Sequence, residues 1–165
     1  MALCGRLLWF LSERGASFEL LPHGEAFTAE RVAQICHVPG RELAKVVVLG
    51  DEGRRPWMAV LPASCRLDVA ALGQAIGHPH LALLREEELA RLFPDCELGA
   101  MPPFGELYGM NMVVDACFPR TRPVFFQAGN HRELVAMPYR DYERLAHPQL
   151  SEFCLHQRFP ARRGH

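Results

Sequence analysis

Lysine is almost absent from this chain of 165 residues, in which Lys45 stands alone beside seventeen arginines. Nineteen acidic residues leave a formal net charge of −1. This excludes a protein that coats nucleic acid through a strongly basic surface. A small RNA footprint needs only a few well-placed cations and is not excluded. Because an ammonium and a planar guanidinium do not substitute freely at a chemical site, a lysine kept among arginines points to a need for lysine at position 45.

Long apolar runs are missing as well. No stretch of about 18 apolar residues occurs, so we predict no membrane span. The apolar N-terminus is interrupted by Arg6 and lacks a cleavage site, which favours an amphipathic helix in a cytoplasmic protein over a signal peptide. The cysteines form no CxxC pair, and we therefore predict free thiols instead of disulfides or zinc ligands. They are Cys4, Cys36, Cys65, Cys96, Cys117 and Cys154.

Helical and strand patterns alternate along the chain. Thr28 is a predicted N-cap, and the apolar runs 43–49 and 57–61 flank a turn and predict a hairpin. Several strand pairs have connections too short for parallel crossovers. We predict an α/β fold of the α+β type over residues 1–148, a single compact domain with a mixed, largely antiparallel sheet surrounded by helices. A polar and basic tail is expected over 149–165.

Two charged residues lie inside apolar strand patterns. Lys45 interrupts the run LAKVVVL, where its ammonium either reaches solvent or meets an anion or a polar cleft. Asp115 lies in MVVDACF, and a carboxylate there needs a partner. A buried Lys45–Asp115 ion pair would satisfy both, either as a purely structural contact or as one that positions the lysine.

The loop GAMPPFG is the second candidate for chemistry. Glycine permits unusual dihedral angles and two prolines stiffen the chain, so the backbone N–H groups of Gly99, Ala100 and Met101 could be fixed around an oxyanion. A purely structural proline-rich loop is the alternative. His131 follows Gly129 and Asn130, where a loop either presents an imidazole to a ligand or leaves it on the surface.

Other catalytic signatures are missing. Nucleotide-binding glycine loops, HExxH and GxSxG do not occur. Serines are few, and Ser12, Ser64 and Ser151 lie in no nucleophile-like setting, so a hydrolase would have to work without a serine triad. His78 and His80 alone are weak evidence for a metal site. We therefore predict neither a metal nor a cofactor.

The ordered combination of four segments resembles the YbaK/prolyl-tRNA synthetase-associated domain family of trans-editing aminoacyl-tRNA deacylases. The likeness covers about residues 3–147. Its segments are His23 ahead of TAERVA at Thr28, AKVVVL around Lys45, a G-x-x-x-P loop from Gly99 to Pro103 followed by Phe104, and VVD at Asp115 followed by AGNH at His131.

The resemblance implies a YbaK-like fold and hydrolysis of the ester between a small non-cognate amino acid and the terminal adenosine of tRNA. Lys45 would orient the phosphate and sugar of that adenosine, and the amides of residues 99–101 would hold the substrate carbonyl. His131 would help to position the substrate. The attacking group would be water, assisted by the substrate's ribose hydroxyl. Further substrate-binding positions implied are His23, Thr28, Pro103, Phe104 and Asp115.

The expected partner is the acceptor end of a mischarged tRNA, with an aminoacyl-tRNA synthetase as a second candidate and no membrane. We expect a free-standing monomer. Pro102 and the bulky Met101 depart from members with small residues in the loop, which bears on the amino acid accepted. A non-catalytic module that binds an aminoacyl or nucleotide group is the alternative, and a metal hydrolase using His78 and His80 is a third possibility.

Overall fold

A computed structural model describes residues 5–156 of the chain. Its helices form where apolar residues recur at helical spacing. The predicted N-cap at Thr28 is confirmed, because its side chain accepts a hydrogen bond from the Arg31 amide; Asp68 caps another helix in the same way and accepts one from the Ala71 amide. None of the helices within the described range is long and apolar enough to cross a membrane. The helices are α1 Gly5–Glu13, α2 Ala29–Cys36, α3 Val69–Ile76, α4 Glu86–Leu92 and α5 Tyr139–Ala146, with a 3-10 helix at Gly105–Tyr108.

The strands of the described range form three sheets. They are β1 Glu19–Pro22, β2 Ala44–Gly50, β3 Pro56–Pro62, β4 Cys65–Leu67, β5 Ala82–Leu83, β6 Asn111–Asp115, β7 Pro123–Gln127, β8 Glu133–Pro138, β9 Gln149–Ser151 and β10 Cys154–His156. The largest sheet has five strands in the order β5-β2-β3-β6-β9, with antiparallel β5-β2-β3 pairs and parallel β3-β6-β9 pairs. A second, antiparallel sheet has the order β1-β8-β7, and in the third β10 pairs with β4. This confirms a mixed, largely antiparallel α/β domain.

The predicted valine-rich hairpin is formed by β2 and β3, which pair from Ala44 opposite Pro62 to Gly50 opposite Pro56. Val48 packs into the main core, whereas Leu49 packs into a second apolar cluster. Strand β2 is therefore covered on both faces, which explains its nearly continuous apolar run.

The start of β2 meets the second sheet. Leu43 forms a parallel bridge with Phe125 of β7, and the Phe125 amide donates to the Glu42 carbonyl oxygen at 2.9 Å. This junction brings the beginning of β2, which contains Lys45, close to β7. Residues from the two sheets can therefore line one cavity there.

The proline-rich loop is anchored in the core on its C-terminal side. Phe104 is 1% exposed, and its ring lies 5.3 to 5.5 Å from those of Phe10, Phe126 and Tyr142. The Tyr142 hydroxyl donates to the Pro103 carbonyl oxygen at 2.8 Å. Burial raises the pKa of Tyr142 well above its ordinary value, so this hydroxyl stays a donor.

Residues 149–151 and 154–156 are strands of the sheets, whereas the sequence predicted a tail from residue 149. Strand β9 extends the large sheet beside β6, and β10 pairs with β4. Phe153 between them is 1% exposed. Strands of three residues are too short to show a period of two, which is why the pattern missed them. The basic residues Arg158, Arg162 and Arg163 of the predicted tail lie outside the described residues, as do the first four residues of the predicted N-terminal helix.

The prediction of free thiols is wrong for two cysteines. Cys65 on β4 and Cys154 on β10 form a disulfide with a Cα–Cα distance of 5.5 Å, across a sequence separation of 89. The Cys117 sulphur lies 3.9 Å from that of Cys65. Partial burial, with the nearby Asp115 carboxylate as a second cause, raises the pKa of Cys117 to about 12, so its thiol stays protonated near neutral pH. A pairing across 89 residues leaves no local trace in the sequence.

We expect reduction of this disulfide to lower the free energy of unfolding by about 2–4 kcal/mol, because the bond closes a long loop in the unfolded chain. Urea denaturation with and without a phosphine reductant measures the change. Cys65→Ser should reproduce it, whereas Cys36→Ser, which removes a thiol outside the disulfide, should not. Superimposable curves for the oxidised and reduced protein would contradict the expectation.

Candidate active site

Lys45 lies near the start of β2 and faces the first turn of α2. Its side chain is 22% exposed, and Nζ lies 3.7 Å from Oε1 of Glu30. Because the Glu30 side chain is 56% exposed, this ion pair is weak, and an anion of a ligand can replace the Glu30 carboxylate beside Lys45. The lysine therefore occupies a polar cleft, one of the alternatives that its place in an apolar strand left open.

A cavity of about 270 Å³ lies beside Lys45. It is formed by the first turn of α2, the start of β2, the loop at residues 99–101 and the last residue of β7. Its volume falls just below the range of about 300–1,000 Å³ typical of drug-sized ligands, which suits a small group. The lining residues are Thr28, Ala29, Glu30, Ala44, Lys45, Val46, Gly99, Met101 and Gln127. A larger cavity of about 860 Å³, beside the β1-β8-β7 sheet, contains none of the predicted site residues.

The loop at residues 99–101 borders this cavity through Gly99 and Met101. The Ala100 amide is already used, because it donates to the Glu97 carbonyl oxygen at 3.0 Å. Within residues 5–156, the N–H groups of Gly99 and Met101 have no hydrogen-bond partner. Gly99 adopts φ +85°, a conformation that L side chains rarely take. Two such N–H groups bordering one cavity can stabilise an oxyanion.

His131 lies beneath this loop instead of on the surface. It is 4% exposed, its Nε2 lies 2.7 Å from the Leu98 carbonyl oxygen, and its backbone N–H donates to Oε2 of Glu97 at 3.2 Å. A carbonyl oxygen only accepts, so Nε2 carries a proton in this contact. A Cβ built on Gly99 would lie 3.5 Å from Cε1 of the imidazole. The His131 side chain therefore packs against the loop at Gly99 and holds it through the Leu98 carbonyl oxygen.

The other predicted binding residues differ in their placement. Thr28 borders the cavity, and its hydroxyl oxygen caps α2. The His23 backbone N–H donates to the Arg132 carbonyl oxygen at 2.8 Å, which places it next to the His131 segment, although it does not line the cavity. Pro103 and Phe104 are held in the core, where they fix the loop and do not face the cavity.

Asp115 lies in a different part of the molecule. Its carboxylate is 1% exposed and accepts hydrogen bonds from the amides of Cys117 at 2.9 Å and Phe153 at 2.8 Å. It borders a cavity shared with Cys117 and Cys154. The Lys45–Asp115 ion pair considered from the sequence is therefore not formed. Phe153, between the strands β9 and β10 that the sequence pattern missed, supplies one of the two amides that this buried carboxylate needs, and Cys117 supplies the other.

Sequence reasoning missed two polar residues of the cavity. They are Glu30, in the first turn of α2, and Gln127, the last residue of β7. Gln127 is 7% exposed, and its Oε1 has no hydrogen-bond partner within the described part of the chain. A polar residue at the end of the apolar strand PVFFQ was the available signal.

The two histidines considered for a metal lie elsewhere. His78 Nδ1 lies 2.8 Å from Oε2 of Glu52, and its ring contacts Trp57. In the range 5–156, the residues close enough to share a metal ion are Cys65, Cys117 and Cys154, two of which form the disulfide. The residues around the cavity thus provide no histidine or cysteine ligand set.

Comparison with known sequences gives one matching family. The sequence pattern of the aminoacyl-tRNA editing domain matches residues 23–145. The multifunctional Ser/Thr-tRNA deacylase ProXp-y of Escherichia coli K12 is 30% identical over 152 residues, which are 90% of each chain. All residues that line the cavity fall within the matched range.

Solved structures share the fold. The hypothetical protein APE2540 superposes with a TM-score of 0.81 at 20% identity, over 91% of this chain and 99% of that one. A candidate trans-editing enzyme for prolyl tRNA synthetase gives a TM-score of 0.79 at 20% identity, over 91% of this chain and 95% of that one. These similarities establish the arrangement of helices and strands and no more.

We expect Asp115→Ala to lower the free energy of unfolding by about 2–4 kcal/mol, because the amides of Cys117 and Phe153 lose a charged acceptor that is itself buried. Urea denaturation measures the loss. The control is Asp141→Ala, which removes only a surface ion pair with Arg144 and should cost less than about 1 kcal/mol. An Asp115→Ala protein as stable as the control variant would contradict this structural role.

Proposed function

Because the chain belongs to the aminoacyl-tRNA editing domain family, we propose that it hydrolyses the ester joining a small non-cognate amino acid to the terminal adenosine of tRNA. One observation carries the proposal: Lys45 lines the same small cavity as Gly99 and Met101, whose backbone N–H groups have no hydrogen-bond partner within residues 5–156. The deacylase activity named for the Escherichia coli relative supports it.

In this proposal Lys45 binds the terminal adenosine. Its ammonium leaves the weak pair with Glu30 and contacts the phosphate and sugar of the nucleotide, which brings the ester to the cavity mouth. A flexible stem with a compact charge suits this task, since the ammonium must move from one anion to another. Fixing the ester in this way supplies much of the rate, because a positioned reactant needs no further loss of translational freedom.

The Gly99 and Met101 N–H groups receive the carbonyl oxygen of the ester. When water adds to the carbonyl carbon, that oxygen gains negative charge, and the two donors stabilise it. The carbon–oxygen bond to the ribose then breaks, and the ribose oxygen takes up a proton while the free amino acid leaves. The cavity lining contains no serine or cysteine, so the attacking group is water, assisted by the neighbouring ribose hydroxyl of the substrate.

His131 acts as a positioning residue. Its Nε2–H holds the Leu98 carbonyl oxygen, and its imidazole packs against the place where Gly99 lacks a side chain. Because the direction of the Gly99 and Met101 N–H groups depends on this support, loss of the imidazole should loosen the donors without removing them.

The proposed substrate is the acceptor end of a mischarged tRNA, bound in trans by a monomer in the cytoplasm, with a synthetase as a further partner. Two observations support this choice. The formal net charge of −1 suits a protein that contacts a short stretch of RNA. The chain and the deacylase relative cover 90% of each other, so the comparison concerns nearly the whole of both proteins.

We expect Lys45→Ala to lower kcat/KM for deacylation at least a hundredfold, because the adenosine is no longer held. Lys45→Arg should also be severely impaired, since the guanidinium fork does not fit a site built for a point charge. A panel of tRNAs mischarged with alanine, serine, threonine or cysteine measures the rates. Arg85→Ala, which removes a cation that is 75% exposed on its side chain and lies outside the cavity, is the control.

Two results would overturn the proposal. A folded Lys45→Ala protein with the wild-type rate would remove the lysine from the reaction. A folded wild-type protein that binds aminoacyl-tRNA but hydrolyses none of the panel would be the non-catalytic binding module. Circular dichroism on each variant separates loss of activity from loss of folding.

We expect Gly99→Ala to lose at least tenfold in kcat, because a side chain at φ +85° forces the loop to move its N–H groups. The same strain should cost about 1–2 kcal/mol of stability. Gly109→Ala is the matched control, with φ +64° and open space around the added Cβ. Both variants should lose stability, and only Gly99→Ala should lose activity; equal activities would exclude an oxyanion role for the loop.

A further inference from the structure

Three cysteine sulphurs lie together beside the C-terminal strands, away from the candidate active site. The Sγ atoms of Cys65, Cys117 and Cys154 all lie within 4.8 Å of one another. We propose that these three thiols bind one Zn²⁺ ion when the Cys65–Cys154 disulfide is reduced. The metal and the disulfide are then alternative crosslinks between the same strands. This inference concerns the stability of the fold and does not depend on the proposed deacylation.

The chemistry of the cluster depends on the redox conditions. In a reducing compartment thiols stay reduced, and a group of cysteines there is more often a metal site than a disulfide. A thiol reductant donates two electrons and two protons to the Cys65–Cys154 disulfide, which becomes two thiols, and is itself oxidised to a disulfide. Zn²⁺ then replaces the protons of the three thiols, and solvent takes these protons up. Soft thiolate ligands select zinc over calcium or magnesium.

The spacing of the sulphurs suits zinc. Zinc–sulphur bonds of about 2.3 Å in a tetrahedral site place two sulphurs about 3.8 Å apart. The Cys117 sulphur lies 3.9 Å from that of Cys65. Reduction lets the sulphurs of Cys65 and Cys154 separate by rotation of their side chains, while β4 and β10 keep their antiparallel pairing. The three ligands can thus assemble without a change in strand pairing.

Asp115 fixes the backbone on two sides of the cluster. Its carboxylate accepts hydrogen bonds from the amides of Cys117 at 2.9 Å and Phe153 at 2.8 Å, and Phe153 directly precedes Cys154. Asp115 is 1% exposed, so these contacts hold both segments from the protein interior. Contacts of this kind orient metal ligands and raise the affinity for the metal. One buried side chain therefore preorganises two of the three proposed ligands.

The cluster is accessible to a cation and has the charge to attract one. A cavity of about 280 Å³ beside it is lined by Asp115, Ala116, Cys117, Glu152 and Cys154, of which two are acidic and none is basic. Cys117 is exposed and Cys154 is half-buried, so an ion reaches these sulphurs from solvent. The negative charge of the two carboxylates favours a divalent cation. Glu152 offers a carboxylate oxygen for the fourth ligand position, which three sulphurs leave open.

The test measures Zn²⁺ binding by wild type, Cys117→Ser and Cys36→Ser after reduction. Each protein is reduced with a phosphine, freed of the reductant without oxygen, and titrated with Zn²⁺ against a coloured chelator. We expect wild type and Cys36→Ser to bind one Zn²⁺ per chain, because Cys36 is a free thiol outside the cluster. Cys117→Ser should bind roughly a hundredfold more weakly, since the loss of an outer contact alone costs about 10–100-fold in affinity.

The oxidised protein is the second control. Its disulfide withholds two of the three sulphurs, so we expect oxidised wild type to bind Zn²⁺ no better than reduced Cys117→Ser. In urea denaturation, Zn²⁺ should raise the midpoint of reduced wild type, because an ion that binds only the folded state stabilises it. The midpoint of the oxidised protein should not change. Cys117→Ser keeps both disulfide cysteines, so circular dichroism of its oxidised form shows whether the substitution itself disturbs folding.

Three results contradict the inference. Reduced wild type that binds no Zn²⁺ does so whether or not it stays folded, because zinc drives folding at a structural site. Equal affinities of Cys117→Ser and wild type exclude the thiol at position 117 as a ligand. Equally tight binding by the oxidised protein places the ion elsewhere. None of these measurements uses deacylation, so their failure and a failure of the proposed function are distinguishable.

Discussion

The candidate site depends on a short backbone clamp that ties two loops together. The Glu97 amide donates to the Gly129 carbonyl oxygen, and the Gly129 amide donates to the Ala100 carbonyl oxygen, both at 2.8 Å. The imidazole of His131 closes the clamp through the Leu98 carbonyl oxygen. The Ala100 amide donates within the loop to the Glu97 carbonyl oxygen, so the N–H groups of Gly99 and Met101 are the ones that remain for a substrate.

The clamp works together with an aromatic anchor on the other side of the loop. Phe104 and the Pro103 carbonyl oxygen are held by buried rings of the main core. The loop is thus fixed at both ends, and only its glycine-containing middle borders the cavity. Such preorganisation matters for ester hydrolysis, because donors that are already in place need no rearrangement when charge develops on the carbonyl oxygen.

Lys45 and Asp115 show how similar sequence settings lead to different tasks. Each charge interrupts an apolar strand, and each is compensated, but in separate places. Lys45 has a weak, exposed partner and can release it, whereas Asp115 is fixed by two backbone amides beside the disulfide-linked strands. The first arrangement suits binding and the second suits stability, so the molecule separates its reactive region from the region that holds its C-terminal strands.

The N-terminal helix, the hairpin around Lys45, the capped start of α2 and the family were predictable from the amino-acid sequence. Local periodicity, capping residues and ordered motifs carry that information. The partners of Lys45 and Asp115, the disulfide, the short strands β9 and β10 and the place of Gln127 became known only from the folded chain. Each of these depends on contacts between segments far apart in the chain, and the energy of such contacts leaves no periodic signal in any one of them.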